Sequence, residues 1–173
     1  MNRIRIEGER VILRSLSMDE FEQEWASRLE MDPSVQPIMP TRDALRARFE
    51  RSGIMQGVAL DLAIEVDGRM IGGIQTYDPP DRALPPGAFE IGIAIDEPMQ
   101  GKGYGTDAVR ALLGWLFSDA GATRVHMPTV PDNVAMSTVA ERLGFEADGT
   151  IRYEGLEFVF YVLNRERWVA GDR

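Results

Sequence analysis

The chain has no cysteine and only one histidine, His126, among its 173 residues. The first absence excludes disulfide bonds, a thiol nucleophile and cysteine-ligated zinc, and the second excludes a cluster of histidine metal ligands. We therefore expect no metal. The apolar runs are far too short to span a bilayer, and the residues after Met1 lack the apolar core of a signal peptide. A cytoplasmic protein with no membrane partner is expected.

Basic residues are also scarce, since 19 Lys and Arg stand against 28 Asp and Glu for a formal net charge of −9. Nucleic-acid surfaces need clustered Lys and Arg, so a nucleic-acid partner is not expected. Two interpretations of the acidic charge stay open. It can favour a cationic substrate such as an amine, or it can serve solubility alone.

The length and a hydrophobic content of 44% predict one globular domain over residues 1–173. Hydrophobic periodicity and turn signals predict an α/β protein with a mixed sheet. The predicted strands cover residues 11–14, 58–66, 69–77, 88–96, 123–130, 145–153 and 156–164. The predicted helices begin after Ser17 and Thr41 and cover 104–120 and 134–143, with Trp168 in a short tail.

Several short signals fix the boundaries of these elements. Ser17 and Glu20 have the spacing of a capping box, and Thr41 can cap the second helix. The pair Asp67-Gly68 between two strand patterns indicates a hairpin. The proline-rich stretches 31–40 and 78–87 are predicted to be loops.

A glycine-rich turn follows the strand predicted at 88–96 and leads into the long helix. Its sequence is Gln100-Gly101-Lys102-Gly103-Tyr104-Gly105-Thr106. Glycines leave backbone N–H groups unshielded, and a helix start adds unpaired donors and the positive end of its dipole, so the turn is suited to phosphate. The spacing fits neither a P-loop nor a dinucleotide-binding fold, and it matches Gln-x-x-Gly-x-Gly.

The strand before this turn has two different faces. Its odd-numbered residues from Phe89 to Ile95 are large and apolar, whereas Gly92 and Ala94 on the other face are small. The second face therefore leaves room for a ligand and begins with a carboxylate, Glu90.

These residues resemble a known family. The segment from Glu90 to Thr106 resembles the acetyl-CoA-binding signature of the GNAT acetyltransferase superfamily. The segment Glu9–Leu16, followed by Asp19, resembles the start of the branch that acetylates ribosomal-protein N-termini (RimJ/RimL-like). Asn133 and the sequence Leu143-Gly144-Phe145 are similar to a second motif of that branch.

The resemblance implies the GNAT acyl-CoA N-acyltransferase fold, in which antiparallel N-terminal strands precede a central parallel pair splayed around CoA. It implies an N-acetyltransferase that uses acetyl-CoA as co-substrate and acetylates a primary amine, with a protein or peptide α-amine as the first expectation. A small polyamine or aminoglycoside is an alternative acceptor, and a non-catalytic acyl-CoA-binding module is an alternative function. A homodimer is also possible, because dimers are common among relatives.

The resemblance also implies site residues. The predicted cofactor-binding residues are Ile93, Ala94, Ile95, Gln100, Gly101, Lys102, Gly103, Tyr104, Gly105, Thr106 and Asn133. Glu90 is the candidate general base, because attack on a thioester needs an amine that has lost its proton. The alternative for Glu90 is a structural ion pair with an arginine.

The general acid is less well defined by the resemblance. Many relatives carry a tyrosine at the position of Ala140, and Rim-type relatives often carry a serine at the position of Met136. Ser137, one residue further along the helix, is the candidate acid, with an ordinary surface serine as the alternative. His126 projects from a strand that should border the ligand. It is interpreted as a hydrogen-bonded sheet residue, because a lone histidine is more often structural than catalytic, and a catalytic role is the alternative.

Overall fold

A computed structural model describes residues 3–29, 41–79, 82–153 and 155–171. Its strands are β1 (Ile6–Glu7), β2 (Ile12–Arg14), β3 (Leu60–Val66), β4 (Arg69–Tyr77), β5 (Ala88–Ile95), β6 (Arg124–Thr129), β7 (Glu146–Tyr153) and β8 (Leu156–Asn164). Its α-helices are α1 (Met18–Leu29), α2 (Arg42–Arg51), α3 (Tyr104–Ser118), α4 (Val134–Arg142) and α5 (Arg165–Gly171). A short 3₁₀ helix covers Glu97–Met99.

The described strands form one eight-stranded sheet in the order β1-β2-β3-β4-β5-β6-β8-β7. β5 and β6 are parallel, and all the other neighbouring strands of this sheet run antiparallel. Because α3 connects β5 to β6, the parallel pair is a βαβ crossover. The predicted mixed α/β fold with a central parallel pair is confirmed.

The capping and turn residues predicted from the sequence form the hydrogen bonds and backbone angles expected of them. Ser17 Oγ accepts a hydrogen bond from the amide of Glu20 at 3.2 Å, and Glu20 Oε2 accepts one from the amide of Ser17 at 2.7 Å. Thr41 caps α2 through the amide of Ala44. Asp67 and Gly68 both have positive φ, 50° and 76°, as a tight hairpin turn between β3 and β4 requires.

Three described elements were not predicted, namely β1, the 3₁₀ helix at Glu97–Met99 and α5. β1 has only two residues and pairs with β2, so it is too short to show a period. Trp168, which was expected in a tail, lies in α5, and its ring centroid is 6.0 Å from that of Phe117. The loop predicted at 31–40 lies outside the described residues.

Helix α3 supplies the apolar layer beneath the parallel pair. Its buried face includes Ala108, Leu112 and Leu116, which belong to the same apolar cluster as Ile91 of β5. A Cβ atom added to Gly105 would lie 3.8 Å from Ile95 Cγ1, so the odd-numbered face of β5 meets this helix. The even-numbered face, which carries Glu90, is therefore on the opposite side of the sheet.

Within the part of the chain that the structure describes, no helix is long and apolar enough to cross a membrane. The same described residues contain no group of three His, Asp or Glu side chains that could hold a metal ion.

Candidate active site

The parallel pair opens part of the way along its length. β5 and β6 form three paired positions, Ala88 with Arg124, Phe89 with Val125 and Glu90 with His126. Beyond that point β5 continues to Ile95 and pairs only with β4, so its edge toward β6 has no ladder partner there. We refer to this unpaired stretch between β5 and β6 as the cleft, with Glu90 and His126 at its apex and the glycine turn beyond its far end.

The glycine turn has the backbone that its sequence predicts. Gly101 and Gly103 have φ of 72° and 86°, in the left-handed region that disfavours side chains. Gly103 is the N-cap of α3, and no side-chain hydrogen bond caps this helix start. The first amides of α3 are therefore available to an anion.

An arginine from the N-terminal segment braces the turn. Arg10 Nη1 donates a hydrogen bond to the carbonyl oxygen of Lys102 at 2.6 Å, and Arg10 Cζ lies 4.5 Å from the ring centroid of Tyr104. Among the residues that the structure describes, a Cβ atom on Gly103 would contact only Arg10 Nη1, at 3.4 Å. The brace fixes one carbonyl of the turn and leaves the rest of the space around Gly103 open.

A buried carboxylate holds that segment on α3. Asp107 is 4% exposed and accepts hydrogen bonds from the backbone amides of Glu9, Arg10 and Val11 at 3.1, 2.7 and 3.0 Å. Because Asp107 lies in the first turn of α3, its charge also complements the helix dipole.

The remaining predicted cofactor residues line the end of β5 and the start of the turn. Ile93 and Ile95 are half-buried and Ala94 is exposed, although β5 lies in the middle of the sheet. Gln100 Nε2 donates a hydrogen bond to the carbonyl oxygen of Ile95 at 2.8 Å and so closes the connection between strand and turn. The exposure of Ala94 marks the open side of the cleft.

Glu90 is 2% exposed and forms an ion pair with Arg82 through its Oε2 atom. The structure thus contains the arginine partner that the alternative interpretation of Glu90 required. Arg82 Cζ lies 5.2 Å from the ring centroid of Phe160, so the arginine bridges the carboxylate and an aromatic ring.

His126 lacks the hydrogen bonds that the sequence analysis predicted for it. It is 5% exposed, and neither Nδ1 nor Nε2 has a hydrogen-bond partner among the described residues. Its ring meets that of Phe160 edge-on at a centroid distance of 4.8 Å. Burial, then the charges of Arg124 and Arg82, lower the pKa of His126 from 6.5 to about 4, against an opposing effect of Asp148. The prediction of a hydrogen-bonded sheet residue is wrong, because the ring is held by apolar contact.

The second motif lies at the start of α4. Asn133 Oδ1 accepts a hydrogen bond from the amide of Met136 at 3.1 Å, so Asn133 caps the helix. Met136 packs against the core and Ala140 is buried. Neither can be the general acid, because neither side chain has a proton to donate. Ser137 is half-buried one turn after Asn133, and no hydrogen bond joins it to Glu90. Its role as a general acid stays a prediction.

A cavity of about 690 Å³ lies at the other end of β5, where the 82–89 segment meets residues 57, 58, 120 and 121. Arg82 is among its lining residues, but none of the predicted site residues is. We therefore place the candidate site in the cleft, because β5 and β6 separate there.

The described fold agrees with comparison to known proteins. Residues 10–146 match the family described as acetyltransferase (GNAT) domain. The chain belongs to this family, and the membership supports the predictions of an N-acetyltransferase and of acetyl-CoA as co-substrate.

Two curated relatives illustrate the sequence similarity. An uncharacterized prophage-derived N-acetyltransferase of Bacillus subtilis, YokL, is 30% identical over 91 residues, which are 53% of this chain and 50% of that protein. A kanamycin resistance protein of Rhizobium radiobacter is 36% identical over 66 residues, 38% of this chain and 61% of that protein. The chain thus spans about half the length of the curated relatives it matches. The specific ribosomal-protein branch is not among these matches.

Solved structures show the likeness of fold. The crystal structure of the aminoglycoside acetyltransferase AAC(6')-Ib with coenzyme A superposes with a TM-score of 0.74 at 24% identity, covering 94% of this chain and 99% of that one. A GNAT-family acetyltransferase from Bacillus anthracis gives a TM-score of 0.71 at 19% identity, with coverage of 94% and 99%.

Sequence reasoning did not predict Arg10, Asp107 or Arg82 as parts of the site. Asp107 offered one signal, an acidic residue in the first turn of a predicted helix. Arg10 and Arg82 lie in irregular segments, where no periodicity indicates what a side chain contacts.

Proposed function

We propose that this protein is an acetyl-CoA-dependent N-acetyltransferase that transfers the acetyl group directly to a primary amine. The observation that carries this proposal is the opening of the β5–β6 pair, which leads from the glycine turn to Glu90. Glu90 and Asp96 are six residue steps apart, which correspond to about 20 Å of strand. That length suits a chain of pantetheine size, with its phosphates at the turn and its thioester near the apex.

The residues present fit acetyl-CoA. The amides of 101–106 would hold the pyrophosphate, and the unpaired edge of β5 at 91–95 would take the amide groups of the pantetheine arm. Asn133 would contact the arm from the start of α4. When bound, acetyl-CoA supplies an activated acyl carbon and a thiolate leaving group.

Glu90 is the proposed proton acceptor. An acceptor amine at neutral pH is largely an ammonium, and its nitrogen attacks only after a proton has left. Arg82 engages Oε2 of Glu90, and the second oxygen of a carboxylate can still accept a proton. The C–N bond then forms as the C–S bond breaks, a second proton from nitrogen goes to the thiolate, and Glu90 releases its proton to water.

Two acceptor classes remain within this proposal. A small polycationic amine is favoured by the net charge of −9 and by the names of relatives such as the kanamycin resistance protein. A peptide α-amine is favoured by the resemblance of Glu9–Leu16 to the ribosomal-protein branch.

The proposal is tested by measuring CoA release with kanamycin, spermidine and a tetrapeptide that begins with alanine. We expect turnover with at least one acceptor and a decrease in kcat of about 100-fold or more in Glu90→Gln. Binding of CoA without turnover on any acceptor would indicate a non-catalytic acyl-CoA module instead. Turnover that is unchanged in Glu90→Gln would remove Glu90 from the mechanism.

A further inference from the structure

The side chains at the apex of the cleft carry an inference that rests on the proposed function. Glu90 and His126 form the last paired position before β5 and β6 separate. Residues paired across neighbouring strands share a face of the sheet, at a strand spacing of about 4.8 Å. A carboxylate and an imidazole therefore lie side by side at the point where the thioester would end.

The imidazole of His126 is unusual for a buried group. A neutral imidazole has one N–H donor and one acceptor nitrogen, and both are unpartnered among the described residues. Buried polar groups in native proteins are nearly always hydrogen-bonded, because an unsatisfied one destabilises the fold. A leucine at this position would pack against Phe160 without that penalty. The unsatisfied ring thus points to a hydrogen-bonding ligand.

The surroundings keep this ring uncharged and fixed. Phe160 touches it edge-on, and burial, then the charges of Arg124 and Arg82, disfavour the imidazolium. A neutral imidazole keeps a lone pair and can accept a hydrogen bond. Gly92 and Ala94 continue the same face of β5 with small residues, and a Cβ atom on Gly92 would lie 3.4 Å from Tyr77 Cε1 and 3.5 Å from Gln75 Nε2.

We propose that His126 orients the acceptor, with a ring nitrogen accepting a hydrogen bond from the N–H of the attacking primary amine. After the ammonium has lost one proton, the neutral amine has two N–H groups and one lone pair. Glu90 has by then taken the first proton onto the oxygen that Arg82 does not engage, and His126 accepts a hydrogen bond from one of the two remaining N–H groups, which sets the direction of the lone pair toward the thioester carbon.

Two variants of His126 separate this role from a packing role. His126→Leu keeps the apolar contact and removes the acceptor atom, whereas His126→Gln keeps an acceptor oxygen. We expect kcat/KM to fall at least tenfold in His126→Leu and to stay within fivefold of the parent in His126→Gln. Measurements use whichever of kanamycin, spermidine and the alanine tetrapeptide gives the highest rate in the parent protein.

Two readouts do not depend on turnover. Calorimetric titration of that same acceptor into the CoA-loaded protein should give a higher Kd in His126→Leu, with the Kd for CoA unchanged. Urea unfolding at pH 7 should show that His126→Leu is at least as stable as the parent.

The outcomes that overturn the inference are distinct from failure of the proposed function. If the parent transfers acetyl groups and His126→Leu stays within twofold of it, the amine does not bind His126. Equal losses in the folded Leu and Gln variants would also contradict the proposal. If the parent acetylates none of the three acceptors, the proposed function itself fails, and this inference fails with it.

Discussion

Gly103 shows how one residue serves both the backbone and the site. Its φ of 86° places it in the left-handed region, and within the described part of the chain only Arg10 comes within 4 Å of the position of a Cβ atom. Both the conformation and the open space are needed if a phosphate is to reach the amides of α3. Gly121, beyond the other end of α3, has a similar φ of 74° and no proposed ligand.

This pair gives a prediction with a matched control. Gly103→Val should weaken CoA binding at least tenfold, because the side chain occupies the phosphate side of the turn and strains the backbone. Gly121→Val carries similar strain of about 1–2 kcal/mol but should leave the affinity for CoA unchanged. Calorimetric Kd values and urea unfolding of both variants test this. Equal affinities in the two variants would mean that phosphate does not bind at residues 101–106.

At the scale of elements, the site depends on how neighbouring segments hold β5 and the glycine turn. β4 pairs with β5 over Gly72–Tyr77, on the edge opposite the cleft. Asp107 attaches the N-terminal segment to α3, and Arg10 of that segment braces the turn. Contacts outside the cleft thus set the position of residues inside it.

Two neighbouring glycines in β4 test the first of these supports. A Cβ atom on Gly72 would lie 2.1 Å from the carbonyl oxygen of Ala94, whereas one on Gly73 would meet Leu62 O at 3.6 Å. Gly72→Ala should therefore destabilise the fold by about 2–3 kcal/mol and weaken CoA binding, because β5 must move. Gly73→Ala should change both quantities little. Similar unfolding free energies for the two variants would contradict the close approach of β4 and β5.

Asp107→Asn tests the second support. An asparagine offers one carbonyl oxygen and places an NH₂ group against a backbone amide, so the arrangement of three accepted hydrogen bonds is lost. We expect a loss of about 2 kcal/mol in the free energy of unfolding. We also expect weaker CoA binding, with kcat at saturating acetyl-CoA nearly unchanged. A variant that retains the parent's stability and CoA affinity would show that this carboxylate does not position the turn.

The sequence predicted those elements whose signals are local. The capping box at Ser17 and Glu20, the Asp67-Gly68 turn and the glycine turn each depend on residues close together in the chain. The contacts of Asp107 with Glu9 and Arg10, about 100 positions away, have no local signal. The lack of hydrogen bonds to His126 could not be predicted from the sequence either, because it depends on which side chains of β8 and the 82–87 segment surround the ring.

At the scale of the whole molecule, two titratable side chains, His126 and Glu20, make the free energy of unfolding depend on pH. The pKa of His126 is lower in the folded protein than its ordinary value, so the stability it contributes is present above pH 6.5 and is lost as the pH falls toward 4. The pKa of Glu20 is lowered by its hydrogen bonds to Arg14. Its contribution is present above its unfolded value of 4.5 and is lost below it. The two effects therefore fall in different ranges of pH.

The variant His126→Leu should separate the contribution of His126 to the pH dependence of stability from that of Glu20. Between pH 7 and pH 5 the parent should lose about 2 kcal/mol of unfolding free energy through His126, and the variant should not lose that amount. Below pH 4.5 both proteins should continue to lose stability as Glu20 becomes protonated. Urea unfolding at pH 7, 5 and 4 measures each step. Parallel pH profiles above pH 5 would mean that His126 is not buried in its uncharged form.

The short ladder between β5 and β6 has a mechanical consequence. Three paired positions join strands β1–β5 to strands β6–β8 within the sheet, and the backbone beyond them is open. A bound pantetheine arm would act as a missing strand, bonded to both sides. Amide hydrogens of 91–95 that face the gap should then exchange quickly with solvent in the free protein and slowly in the CoA complex. Co-substrate binding would thus join the two parts of the sheet before the acceptor arrives.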